Sequence, residues 1–168
     1  MRIANVVHGV PFGKVNEGNI IQFFDRDGKL YTGIKICCEK WKGVLFLKAP
    51  PPYKRAGIFP LTDESHPWDQ DLMLEFPDAM LLSKEFDQLP VGHKPCSGDL
   101  TMHHDGKIKL LSEPSGGVLY VDMRTGQVSP PDDGAMSPLI VSKWAIVLKG
   151  NTSKCLVEFP EESARESD

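Results

Sequence analysis

Apolar and polar positions alternate with a period near two over much of the chain, and glycine-centred turns interrupt the alternation. Three stretches show it: "QFFDRDGKLYTGIKI" around Asp27-Gly28, "LTMHHDGKIKLL" around Asp105-Gly106, and "VLYVDMRTGQV" around Thr125-Gly126. Asp-Gly supplies the positive φ that a two-residue hairpin loop demands, so the first two predict hairpins. "GVLFLKA", "WAIVLKG" and "KCLVEF" are further strand candidates, and "DLMLEF" has an extended pattern. One helical spacing occurs. In "PDAMLLSKEFDQL", Ala79, Leu82, Phe86 and Leu89 recur at helical intervals, with Asp78 as N-cap and Pro90 as stop, predicting one short helix near 78–89. The expected fold is mainly β, an antiparallel sandwich or small barrel built from hairpins.

With a two-residue loop at Asp27-Gly28, register follows. Arg26 stands opposite Lys29, Asp25 opposite Leu30, Phe24 opposite Tyr31, Phe23 opposite Thr32 and Ile21 opposite Ile34. Partners across an antiparallel pair share a face. One face then carries Ile21, Phe23, Leu30, Ile34 and Ile36, the core side. The other carries Gln22, Phe24, Arg26, Lys29, Tyr31 and Lys35. Aromatic and basic groups together suit single-stranded nucleic acid, because bases stack on rings while cations follow phosphates. Trp41, with Lys40, Lys42 and Lys48, extends that block. The expected binding residues are therefore Phe24, Arg26, Lys29, Tyr31, Lys35 and Trp41. The run "GNIIQFFDRDGKLYTGIKI" also resembles the opening hairpin of small SH3-like or Tudor-like barrels, a resemblance of turn and aromatics covering about a tenth of the chain that carries no site over.

"HKPCSGDLTMHHDGK", residues 93–107, gathers three of the five histidines and one of the four cysteines. Zinc takes four ligands, usually thiolate and imidazole. Successive strand residues point to opposite faces, so His103 and His104 do not reach one ion together. A two-residue Asp105-Gly106 loop puts His104 opposite Lys107 and Met102 opposite Lys109, a wet face. It puts His103 opposite Ile108 and Thr101 opposite Leu110. His93, Cys96 and His103 remain as a candidate trio, with water or Cys155 in a fourth position. That would be a catalytic zinc layout, and Cys96 beside His103 would be a thiolate–imidazole pair. No other cofactor is expected: HExxH, P-loop, GxGxxG and GxSxG patterns do not occur.

The 168 residues, 40% apolar and 25% charged, describe one ordinary globular domain, expected over 1–160 with an acidic tail at 161–168. No apolar run approaches the ~18–20 residues that span a bilayer, and no membrane partner is expected. "MRIANVVHGVPFGKV" is too broken for a signal peptide, so Asn151-Thr152-Ser153 reads as an unused sequon. Cys37, Cys38, Cys96 and Cys155 fit reduced thiols in a cytoplasm.

The net charge of −4 gives no general attraction to nucleic acid. Its distribution is uneven: residues 29–55 carry seven basic groups and one acidic, and 61–89 carry eight acidic and one basic. "APPPY" fits both a rigid connector and a PPxY ligand. "DRDG" opens like a calcium loop without its later carboxylate.

Three functional readings follow. The first is a small non-catalytic binding or accessory protein holding a protein or small ligand. The second is a nucleic-acid-binding module on the basic–aromatic face. The third is a metal or thiol enzyme on His93, Cys96 and His103. Pairing of edge strands would also make a homodimer.

Overall fold

A computed structural model describes residues 8–53, 56–61, 71–85, 96–103, 105–114, 117–131 and 139–160. The strands in chain order are β1 (His8–Pro11), β2 (Ile20–Phe24), β3 (Leu30–Cys37), β4 (Lys42–Lys48), β5 (Ile58–Leu61), β6 (Leu72–Phe76), β7 (Ala79–Glu85), β8 (Leu100–Met102), β9 (Ile108–Ser112), β10 (Leu119–Asp122), β11 (Val128–Ser129), β12 (Leu139–Val141), β13 (Lys143–Leu148) and β14 (Asn151–Phe159). A single 3-10 turn over Phe12–Lys14 is the helical element among the described residues.

The strands form three antiparallel sheets. The first has the order β1-β6-β2-β3-β4-β5, the second β11-β10-β9-β8-β12 and the third β14-β13-β7. The described strands do not close into a barrel, and the stacked sheets fit an all-β sandwich. The central strands of the first sheet are covered on both faces: Tyr31–Ile36 in β3 and Gly43–Leu47 in β4 are buried throughout. One face presents Ile20, Ile34, Ile36, Leu45 and Phe76 to a core shared with Leu100, Leu110, Val121 and Val141 of the second sheet and Trp144, Ile146, Leu148 and Val157 of the third. The other face holds a separate cluster of Phe12, Val15, Ile21, Phe23, Tyr31, Val44, Phe46, Leu61 and Met73. That second cluster positions the site below.

Over its described part, the segment expected as a helix is strand β7; residues 86–89 lie outside the described residues. Its register with β13 runs from Leu148↔Ala79 to Lys143↔Glu85. Ala79 and Leu81, two apart, pack on the shared core. The same sequence satisfies helical and strand spacing over a few residues, and long-range pairing with the apolar β13 decides between them. Asp78 is no N-cap: it lies in the turn between β6 and β7, and its carbonyl accepts the Lys149 N–H. The expected tail at 161–168 lies outside the described residues.

Candidate functional site

The first hairpin departs from expectation by one residue. Phe24 pairs with Leu30, Phe23 with Tyr31, Gln22 with Thr32, Ile21 with Gly33 and Ile20 with Ile34. The loop is three residues long, Arg26 to Gly28. The Asp25 N–H donates to the Lys29 carbonyl and the Gly28 N–H to the Asp25 carbonyl. Gly28 takes the positive φ of 76° that ends a type I turn with a bulge. Asp25 Oδ1 accepts the N–H groups of Asp27 and Lys29, each at 2.9 Å, and so fixes the loop. A one-residue slip moves every side chain to the opposite face.

The expected basic–aromatic platform is therefore divided. Phe24 is 62% exposed on one face, beside the exposed Leu30. Tyr31 is buried on the other, stacked on Phe23 with ring centroids 5.1 Å apart. Lys35 is 5% exposed, and its ammonium donates to the carbonyls of Val15 at 2.6 Å, Phe12 at 3.1 Å and Gly13 at 3.5 Å, with the Phe12 ring beneath it. It fastens the 3-10 turn to β3 instead of facing solvent. Trp41 lies beyond the far end of β3, roughly 23 Å from the hairpin tip at about 3.3 Å per residue, half-buried against the shared core. Arg26 and Lys29 remain exposed at the tip.

In place of the platform there is a cleft of about 760 Å³ at the end of the first sheet. The hairpin tip (Phe24 to Asp27), Tyr53, and Asp71 with Leu72 surround it, and Phe23, Tyr31, Phe46 and Met73 line its depth. Tyr53 sits edge-on to Tyr31 at 5.8 Å and 73° and to Phe46 at 5.2 Å and 63°. It is 41% exposed, so its ring offers open area while the rings beneath are nearly sealed. Tyr53 closes "APPPY", and its packing on Tyr31, Phe46 and Phe59 makes the motif a connector that seats a ring.

Among the described lining residues the charged groups are Asp25, Asp27 and Asp71 against Arg26. Tyr31 Oη donates to Asp25 Oδ2 at 3.1 Å. Hydrogen bonds from the Lys29 backbone, the Tyr31 hydroxyl and the Asp27 backbone hold the Asp25 carboxyl below its ordinary pKa. Burial, then the adjacent Asp25 carboxylate, pushes the Tyr31 hydroxyl up to about 12. Near neutral pH one group is firmly an anion and the other firmly a donor.

The 93–107 stretch also slips by one. Leu100 pairs with Leu110, Thr101 with Lys109 and Met102 with Ile108. His103 closes a second three-residue loop: its N–H donates to the Lys107 carbonyl and its carbonyl accepts the Gly106 N–H. Thr101, His103 and Lys109 thus share a face with Tyr120; His103 lies edge-on to Tyr120 and its Nε2 is 3.2 Å from Thr101 Oγ1. The expected pairings of His103 with Ile108 and Thr101 with Leu110 do not form. Cys96 belongs to a turn at the opposite end of β8, where its N–H donates to Asp99 Oδ2 and its carbonyl accepts the Asp99 N–H. From Asp99 to His103 the strand advances roughly 13 Å. Ligands of one zinc ion lie within about 4 Å of each other. Cys96 and His103 are therefore too far apart for a common ion or a thiolate–imidazole pair. His93 and His104 lie outside the described residues. Among the described residues no three His, Cys, Asp or Glu side chains gather to hold a metal.

Sequence reasoning missed Phe46, Tyr53 and Asp71. Phe46 sits in an apolar run, Tyr53 in a proline-rich loop, and Asp71 in an acidic block whose fold position is not encoded locally. No family profile, curated protein or solved structure matches the chain. Among the described residues no helix is long and apolar enough to cross a membrane.

Proposed function

We propose that the chain is a non-catalytic binding protein whose ligand sits in the cleft between the β2–β3 hairpin tip, Tyr53 and Asp71. The observation that carries this reading is the combination of a concave, aromatic-floored site with a few convergent polar groups, the usual composition of a ligand seat. The electrostatics support binding over catalysis. A general acid or base works best with a pKa near the operating pH, whereas Asp25 is held low and Tyr31 high. The four cysteines, present as thiols and not as disulfides, support a reducing cytoplasm as the place of work.

The test is a fragment screen read by protein NMR on the full chain, with side-chain assignments for Phe24, Tyr31 and Tyr53. Hits should cluster their shifts on these three residues, and Tyr53→Ala should abolish them without unfolding the protein. Hits that map consistently to another surface would sink the reading.

A further inference from the structure

We infer that the cleft is selective for an organic ammonium cation, an alkylated amine presented at the end of a flexible chain. The inference rests on the binding role proposed above and specifies its ligand.

Three features of the cleft converge on a cation. The first is ring geometry. Tyr53 meets Tyr31 at 73° and Phe46 at 63°, so the rings form a corner, not a flat stack. Tyr31 and Phe46 are nearly sealed beneath Tyr53, so the ring area open to a compact cation is that of Tyr53 and of Phe24 at the hairpin tip, each face with its negative quadrupole. The second is charge. Among the described lining residues, the carboxylates of Asp25, Asp27 and Asp71 outnumber the guanidinium of Arg26, which favours a cation over an anion. The third is preorganisation. Asp25 is fixed by the Asp27 and Lys29 N–H groups and by the Tyr31 hydroxyl, so an anion stands beside the rings before any ligand arrives.

The alkylated form follows from hydration. A bare ammonium gives up strong hydrogen bonds to water when it enters a ring-lined site. Among the described lining groups, Asp25 already accepts three hydrogen bonds and has little capacity left. An alkylated ammonium carries its charge on weakly hydrated methyl groups, which rings accept. A metal ion fits less well, because the described residues gather no set of three ligands.

The experiment is an NMR titration of the full chain with choline and, in parallel, with 3,3-dimethylbutan-1-ol, its uncharged carbon isostere. Choline should move Tyr53 and Phe24 resonances saturably, and the isostere should bind about tenfold more weakly or not at all. Asp71→Asn and Asp27→Asn, both at exposed positions, should each weaken choline several-fold and leave the isostere unchanged. Equal binding of the two probes in the cleft would overturn charge selectivity and leave the ligand seat standing. Choline that moves no cleft resonance at saturating concentration would overturn the ammonium inference, and the fragment screen would then decide the binding role by itself.

Discussion

Tyr31 hands its hydroxyl hydrogen to the Asp25 carboxylate across the mouth of the β2–β3 hairpin, at 3.1 Å. The contact joins the aromatic floor of the cleft to its acidic rim and opposes the ionisation of one partner while promoting that of the other. Tyr31 has a raised folded-state value, so its share of stability is complete below the ordinary value of 10 and is lost as pH rises through about 12. Asp25 has a lowered one, so its share is present above 3.8 and is lost as pH falls through the lower folded value. Tyr31→Phe should remove the alkaline component, raise the Asp25 pKa and cost about 1 kcal/mol at neutral pH, as loss of one hydrogen bond does. Absorbance titration at the tyrosinate band and urea unfolding check both; a Tyr31 that ionises at the ordinary value of 10 would contradict the contact.

Lys35 makes a second prediction. Three backbone carbonyls converge on its ammonium inside the first sheet. Lys35→Met keeps much of the stem and leaves those acceptors without their donor, so it should cost about 1–3 kcal/mol. Chemical denaturation is the measurement, with aromatic NMR of Phe12 reporting whether the 3-10 turn has loosened. A surface lysine serving phosphates would give unchanged stability instead.

Fold class was legible from alternation and turns, and most strand candidates form strands. The register was not, and the site depended on register. Asp-Gly fits a two-residue loop and also ends a three-residue loop in which glycine alone takes the left-handed conformation. Both "DGK" hairpins adopt the longer loop, with φ of 76° at Gly28 and 79° at Gly106. The shift buries Tyr31 beside Phe23 and turns Phe24 outward, which divides the expected platform. Lys35 reads as a surface cation because its partners are carbonyls about twenty residues earlier, which carry no side-chain signature. Tyr53 and Asp71 meet the hairpin tip only through the sheet order, which local pattern does not reveal.

Gly126 and Gly106 separate two costs of replacing glycine. Both have positive φ, 69° and 79°. At Gly106 a Cβ would meet open space, whereas at Gly126 it would run into the Lys35 carbonyl and the Gly18 backbone. There the turn after β10 docks on β3, with the Cys37 N–H donating to the Gly126 carbonyl at 3.0 Å and the Gly18 N–H to the Lys35 carbonyl at 2.8 Å. Gly106→Ala should cost only the backbone penalty, about 1–2 kcal/mol. Gly126→Ala adds a backbone collision and should cost about 3 kcal/mol or more. Equal unfolding midpoints for the two variants would show that the turn does not dock as described.

Cysteine chemistry supplies the last prediction. Burial, followed by the Glu17 carboxylate that the Cys37 thiol touches at 3.1 Å, pushes the Cys37 pKa up to about 11. Thiolate is the nucleophile, so at pH 7.5 only a very small fraction of Cys37 is reactive. Cys96 is exposed at the turn before β8, and Cys155 is exposed on β14. A timed iodoacetamide reaction followed by peptide mass spectrometry should label Cys96 well before Cys37. Glu17→Gln removes the charge and weakens the thiol's acceptor, so it should lower the Cys37 pKa and speed its labelling. Cys96 should keep its wild-type rate in that variant, because its turn leads into β8 of the second sheet, away from the Glu17–Cys37 contact. If the variant sped both sites alike, general loosening would be the cause and the Glu17–Cys37 contact would not explain the slow thiol.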